Sequence, residues 1–157
     1  MKQHNYETTI TWTGNNGTGT SDYRAYERSH TLTVNGKPDM LCSSDTPFRG
    51  DAAKHNPEDM LLASLSSCHM LWYLHLCADA GIVVTDYTDN AKGVMTETPG
   101  SGGKFTEVTL YPVVTITDDR RADEANQLHD KAHKFCFIAN SVNFPVKHEA
   151  VCKMRNK

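Results

Sequence analysis

One cysteine lies in the middle of a long apolar segment, "NPEDMLLASLSSCHM" at residues 56–70, where an ionisable group is unexpected. That cysteine is Cys68, and His69 follows it. A cysteine thiolate can attack the O–O bond of a hydroperoxide and become a sulfenic acid, whereas the neutral thiol is a poor nucleophile. Such chemistry needs a cation beside the thiolate, and arginine suits this role because it stays protonated and donates several hydrogen bonds. A second cysteine could then attack the sulfenic acid and form a disulfide, which an outside dithiol must reduce.

The cysteine content favours free thiols over structural disulfides or a metal centre. The chain has 5 cysteines, an odd number, and no CxxC pair. We expect Cys42, Cys77 and Cys152 to be packing residues, which is the commonest role of a free cysteine. His75 and Cys77 would point to different sides of a helix, so we predict no metal site.

The apolar segment is predicted to form a helix with clear start and stop signals. Asn56 is a good N-cap, Pro57 suits the first helical position, and Gly81 provides a left-handed stop. The helix should run over residues 57–80, about 36 Å. It is apolar on nearly every side and therefore needs packing partners all round, which a second copy of the chain would supply.

Alternating, turn-rich segments surround this helix and predict strands. Pro112 cannot donate a ladder hydrogen bond, so we expect its strand to lie at a sheet edge or to carry a bulge there. The predicted order is a β-hairpin over residues 6–34, the long helix, a second β-hairpin over residues 87–116, a second helix that ends at Cys136, and a terminal strand over residues 146–154. This order predicts an α+β fold in a single domain that spans residues 1–157.

Composition excludes several classes of partner. The formal net charge is -3 and the charged fraction is 22%, so no basic face for nucleic acid is expected. The chain begins with a polar segment that lacks the features of a secretory signal, which predicts a cytoplasmic protein. Polar residues interrupt the long apolar segment, so we interpret it as a core helix and not as a membrane span.

The segment "HNPEDMLLASLSSC" resembles the "NPEEL…AC" helix of the osmotically inducible protein C family, the OsmC/Ohr thiol peroxidases. The order of elements is similar over nearly the whole chain. The resemblance implies that Cys68 is the peroxidatic cysteine and that Cys136, in "AHKFCFIANSVNFPV", is the resolving cysteine on the second helix. Glu58 matches the acidic residue that positions a catalytic arginine. Arg49 is the first candidate for that arginine, and Arg24 is the second.

The same resemblance implies an OsmC-like fold in an intertwined homodimer and a role in oxidative stress defence. The substrate would be a hydroperoxide, and an organic one is favoured because the surroundings of Cys68 are apolar. The resemblance implies no metal, haem or flavin cofactor, and a dithiol reductant such as a lipoyl group or a thioredoxin-like protein. The chain departs from the family in having Phe137 where proline often follows the resolving cysteine, and His69 where an aromatic or apolar residue often follows the first.

Helix geometry leaves the role of Glu58 open, because ten residues of continuous helix would separate it from Cys68 by about 15 Å. Either the helix breaks between them, or the groups meet across a dimer interface, or Glu58 only anchors an arginine from elsewhere. Two other functions also remain open. One is a non-catalytic protein that binds an apolar ligand, and the other is a thiol redox sensor that acts through a partner.

Overall fold

The computed structural model describes residues 1–154, and the chain forms two compact units, Met1–Met60 and Leu61–Lys157. The first unit contains a three-stranded antiparallel sheet with the strand order β1-β2-β3. Its strands are β1 (Thr9–Trp12), β2 (His30–Thr33) and β3 (Met40–Cys42). The first predicted hairpin is therefore present as β1 and β2.

Helix α1 (Pro57–Asp79) begins at the last residues of the first unit and continues into the second. The elements that follow it are β4 (Val84–Asp89), β5 (Lys92–Thr98), β6 (Gly102–Leu110), β7 (Pro112–Ile116), α2 (Ala122–Phe135), β8 (Val146–His148) and β9 (Val151–Met154). They form two three-stranded sheets, with the strand orders β4-β7-β9 and β5-β6-β8. The pairs β4-β7 and β5-β6 are antiparallel, whereas β7-β9 and β6-β8 are parallel. The fold is α+β, as predicted.

Each long strand expected in the second half of the chain is divided in two. The second hairpin breaks between Asp89 and Lys92 and again at Tyr111, and the terminal strand breaks between His148 and Val151. At each break the backbone passes from one sheet to the other. The expectation for Pro112 was wrong, because β7 is a middle strand and the register shift lies in β4. Pro112 is the first residue of β7, a position at which proline is tolerated.

The carboxylate of Asp89 joins these strand breaks to α1. Its Oδ1 accepts a hydrogen bond of 2.7 Å from the backbone N–H of Tyr111. Its Oδ2 accepts one of 2.5 Å from the Ser66 hydroxyl. A backbone N–H left free by the break in one strand is therefore satisfied by a side chain of the neighbouring one.

The ends of α1 follow from local capping. The Asn56 side chain accepts a hydrogen bond of 2.7 Å from the Asp59 N–H, as an N-cap does. The helix ends at Asp79, one residue before the predicted end, and Gly81 has the left-handed φ of 68°. Arg121 donates hydrogen bonds to the carbonyls of Ala80 and Gly81, which places a cation at the negative end of the helix dipole.

Within the chain α1 buries one face and leaves the other exposed. The buried face carries Leu65 on the β5-β6-β8 side of the core and Tyr73 and Leu76 on the β4-β7-β9 side. Leu71 on the opposite face is 62% exposed. Although α1 is long and apolar enough to cross a membrane, its buried face belongs to the protein core. Within residues 1–154, α1 is therefore not packed on every side, as its sequence predicts it should be.

Candidate active site

Helices α1 and α2 bring the thiols of Cys68 and Cys136 together. Cys68 is half-buried in the middle of α1, and Cys136 is buried at the C-cap of α2. The Cys68 thiol is close enough to affect the pKa of Cys136, and both are free thiols. The two cysteines that sequence analysis singled out are therefore neighbours, although 68 positions separate them in sequence. Two neighbouring free thiols are the arrangement from which a disulfide can form.

The environment of Cys136 favours its protonated form. Burial, followed by the hydrogen bond with the Cys68 thiol, raises the pKa of Cys136 to about 11. The backbone N–H of Ala139 donates to its Sγ at 3.4 Å and acts in the opposite direction. At neutral pH Cys136 is therefore a thiol, which limits its reaction with oxidants in solution.

Three aromatic rings lie around the cysteine pair. Trp72, one helical turn after Cys68, stacks on Phe135 at 5.2 Å between centroids and meets Phe137 edge-on at 5.6 Å. Phe135 and Phe137 flank Cys136 in sequence, so these contacts fix the end of α2 against α1. Phe137, which stands where the family often has proline, is 68% exposed. An apolar surface therefore lies next to the thiols.

A buried group of histidines also connects α1 to α2, and sequence analysis did not predict it. His69 Nε2 and His129 Nδ1 are 2.9 Å apart, and each residue is 1% exposed. The ring of His148 lies 5.5 Å from that of His69 and 6.0 Å from that of His129. The only available sequence signal was the spacing of His129 and His133 on one face of a helix.

Burial sets the charge state of these histidines. Burial first, then the nearby His148 and His133, lowers the pKa of His69 to about 4. Burial first, then His69 and His148, lowers the pKa of His129 to about 3. The pKa of His148 is also lowered, chiefly by burial, and the opposing effect of Asp130 only partly offsets this. The pair is therefore neutral at physiological pH.

The remaining predicted residues, Arg49, Arg24 and Glu58, belong to the first unit. Arg49 is exposed and has φ = 64°, which is the left-handed region that non-glycine residues rarely adopt. Arg24 is exposed, and its backbone N–H donates to Asp22. Glu58 is half-buried in the first turn of α1. Within residues 1–154, Glu58 forms no ion pair with either arginine.

The continuity of α1 removes one of the alternatives for Glu58. The helix runs unbroken from Pro57 to Asp79, so it is not interrupted between Glu58 and Cys68. A continuous helix is compatible with a meeting across a dimer interface and with the anchoring of an arginine. Arg28 is a further arginine that sequence analysis did not consider. Its guanidinium lies over two tyrosine rings at 4.3 and 4.1 Å and donates to backbone carbonyls.

The described residues hold no preformed metal centre. Among residues 1–154, no three His, Cys, Asp or Glu side chains are grouped so as to bind a metal ion.

An α+β fold in which two helices bring a pair of free thiols together defines a dithiol protein. The OsmC-like protein family matches residues 50–150, more than half of the chain, and the chain therefore belongs to this family. The fold is the OsmC-like fold.

Similar proteins support this assignment along almost the whole chain. An OsmC-like protein of unknown function from Vibrio cholerae is 31% identical, with a TM-score of 0.85, over 95% of this chain and 100% of that one. The uncharacterized protein YmaD of Bacillus subtilis is 23% identical over 98% of each chain. An organic hydroperoxide resistance protein from Elizabethkingia anophelis shares the fold, with 20% identity and a TM-score of 0.68 over 98% of this chain and 100% of that one.

Proposed function

We propose that this protein is a cysteine-based peroxidase that reduces organic hydroperoxides in oxidative stress defence. The observation that carries the proposal is the proximity of the free thiols of Cys68 and Cys136, at which Cys68 affects the pKa of Cys136. Membership of the OsmC-like family supports it, because structural relatives are named organic hydroperoxide resistance proteins.

The reaction divides between the two cysteines. The Cys68 thiolate attacks the terminal oxygen of the hydroperoxide, the O–O bond breaks, and Cys68 becomes a sulfenic acid while the alkoxide takes a proton and leaves as an alcohol. Cys136 then attacks the sulfur of Cys68, the S–O bond breaks, and water leaves with the proton of the Cys136 thiol. The product is a Cys68–Cys136 disulfide. An external dithiol, such as a lipoyl group or a thioredoxin-like protein, supplies two electrons and two protons and restores both thiols.

The two cysteines are suited to different steps because their environments differ. Cys68 is half-buried and open to a substrate, whereas Cys136 is 1% exposed and is held as a thiol. A buried thiol beside Cys68 resolves the sulfenic acid without competing for peroxide. The neighbouring apolar surface of Trp72 and Phe137 favours a substrate with an apolar group over hydrogen peroxide.

The cation that activates Cys68 is proposed to be an arginine. Arg49 is our first candidate and Arg24 the second, with Glu58 holding the guanidinium in place. The strained backbone of Arg49 supports this choice, because a non-glycine residue with φ = 64° is a feature that often accompanies function. The proposed reaction needs no metal, haem or flavin, because the Cys68 sulfur itself supplies the two electrons that reduce the peroxide and the dithiol returns them.

We also propose that the active form is a cytoplasmic homodimer. The exposed face of α1, with Leu71 62% exposed, supports this, since a second copy would cover it. Sedimentation equilibrium at micromolar concentration should give twice the mass of the 17.5 kDa chain. A mass equal to one chain would contradict the dimer.

The decisive experiment is steady-state consumption of cumene hydroperoxide and of hydrogen peroxide with a dithiol reductant. Wild type should turn over, and faster with the organic substrate. Cys68→Ser should be inactive, and Cys136→Ser should stop after one equivalent. Cys152→Ser is the matched control, because this half-buried cysteine on β9 lies outside the pair and its replacement should leave turnover unchanged.

The apolar surface also favours a second candidate function, the binding of an apolar ligand without catalysis. In that case wild type would not consume either peroxide above the uncatalysed rate, and Cys68→Ser would leave ligand affinity unchanged. A redox sensor would give a third result, in which oxidation changes association with another protein without turnover of peroxide.

A further inference from the structure

The hydrogen bond between His69 and His129 joins the same two helices that carry the thiols. His69 follows Cys68 on α1, and His129 precedes Cys136 by seven residues, about two turns, on α2. The planes of the two rings are nearly parallel, with an interplanar angle of 6°, and the bonded nitrogens are 2.9 Å apart. This is the geometry of an N–H···N hydrogen bond between neutral imidazoles.

We propose that this hydrogen bond is a clamp between α1 and α2 that holds the Cys68 and Cys136 thiols in position for disulfide formation. His69 and His129 are then positioning residues, since neither touches the reacting atoms. The proposal rests on the two-cysteine chemistry proposed above and extends it to the step that closes the disulfide.

The surroundings of the clamp make the shared hydrogen bond its principal polar contact. Within residues 1–154, His69 Nδ1 and His129 Nε2 have no hydrogen-bond partner and are buried. Whichever nitrogen carries the shared proton, only one hydrogen bond holds the pair, so its loss leaves two buried rings unsatisfied. Tyr73 stacks on His129 at 3.8 Å and restricts the ring to one orientation. Burial and the Tyr73 ring therefore favour the hydrogen-bonded arrangement of the two histidines.

The charged and titratable groups around the clamp lie on its outer side. His148 on β8 and His133 on α2 act on His69 through charge, and His148 Nε2 lies 3.3 Å from Asp130 Oδ1. Asp130 is exposed, so this carboxylate holds His148 at the edge of the group without entering the clamp. No carboxylate bonds to the His69 or His129 rings within the part of the chain described, which keeps both rings neutral.

The test measures the thiol pair directly and uses no hydroperoxide. Reduced protein is equilibrated with mixtures of glutathione and glutathione disulfide, and the Cys68–Cys136 disulfide is quantified by peptide mass spectrometry after acid quenching and alkylation. The result is the effective concentration of one thiol toward the other. His69→Leu should lower it about tenfold, the factor that corresponds to the net value of one hydrogen bond. His69→Gln should restore it to within about twofold of wild type, because the amide reaches the position of Nε2.

Two controls separate the clamp from general effects. Ile116→Val removes a methyl group from the core cluster that contains Tyr73 and should destabilise the protein without changing the effective concentration. His75→Gln removes an exposed histidine from α1 and should have no effect. If His69→Leu does not fold, His69→Asn replaces it, since this amide is too short to reach His129.

The clamp is refuted if the effective concentration is the same in His69→Leu, or His69→Asn, as in Ile116→Val. Equal losses in the Gln and Leu variants at position 69 would refute it as well. Absence of peroxidase turnover in wild type would contradict the proposed function but would leave this redox equilibrium measurable. The two hypotheses therefore fail by different observations.

Discussion

The buried histidine pair should make the protein lose stability in mild acid. An unfolded histidine binds a proton with a pKa of about 6.5, whereas burial lowers the pKa of His69 to about 4 and that of His129 to about 3 in the folded protein. Between these values the unfolded chain binds more protons than the folded one. Above about pH 6.5 the histidine pair therefore does not reduce stability. As the pH decreases toward 4, the free energy of unfolding falls.

The size of the effect follows from the pKa difference. Each histidine contributes about 1.4 kcal/mol per pH unit where only the unfolded form is protonated. Over the interval from pH 7.5 to pH 5, in which the unfolded histidine passes through its pKa, this amounts to about 2 kcal/mol for each, or about 4 kcal/mol for the pair. A loss of that size is a large part of the 5 to 15 kcal/mol by which domains are usually stable.

The assay is urea unfolding followed by circular dichroism at pH 7.5, 6.5, 5.5 and 5, for wild type and for the double variant His69→Gln, His129→Asn. The amides can retain the hydrogen bond but cannot titrate, so the variant should lose about 4 kcal/mol less than wild type over this interval. Contributions from His148 and the carboxylates are common to both proteins and cancel in the difference. His75→Gln, on the exposed face of α1, should follow wild type. Equal acid losses in wild type and the double variant would refute the reasoning.

Three further predictions concern other parts of the chain. Arg49→Gly should raise the free energy of unfolding by about 1 kcal/mol in urea titration, because glycine adopts φ = 64° without strain. The same variant should lose peroxide turnover. Retained turnover would exclude this arginine as the cation. Asp89→Asn replaces an acceptor with a donor at the strand break and should cost about 1–3 kcal/mol, against no more than about 0.5 kcal/mol for Asp86→Asn on the exposed surface of the same strand. Iodoacetamide at pH 8 should label Cys68 well before Cys136, whose thiolate fraction is about one in a thousand when its pKa is about 11; equal labelling of the two in the folded protein would contradict the buried position of Cys136.

The parts of the fold that depend on neighbouring residues could be predicted from sequence, and those that depend on distant partners could not. Asn56, Pro57 and Gly81 fix the ends of α1 through contacts within a few residues, so its bounds were correct to one position. The strand breaks were missed, because a break at Tyr111 is stable only when Asp89 on another strand satisfies the freed N–H. Alternation of side chains continues across such a break and gives no sign of it.

The site divides in the same way. The cysteine pair could be anticipated because the resemblance to a family carried the positions of both thiols, although nothing in the local sequence of either shows that they meet. The histidine pair joins residues 60 positions apart and had no such guide. A buried histidine in an apolar helix has no sequence signature of its own, since the same residue type on an exposed face gives the same pattern.

Helices α1 and α2 approach each other at the cysteine pair and at the histidine pair. Together the two pairs fix the relative orientation of the helices, which either pair alone would leave variable. On α1 the contacting residues, Cys68 and His69, are adjacent and project about 100° apart around the helix axis. On α2 the partners, His129 and Cys136, lie about 10 Å apart along the axis. One contact would allow the helices to pivot about it, whereas two contacts that are separated along one axis and around the other fix both the rotation and the crossing of the pair. The distance between the two thiols is then set by the fold before oxidation. Disulfide formation therefore loses little conformational entropy.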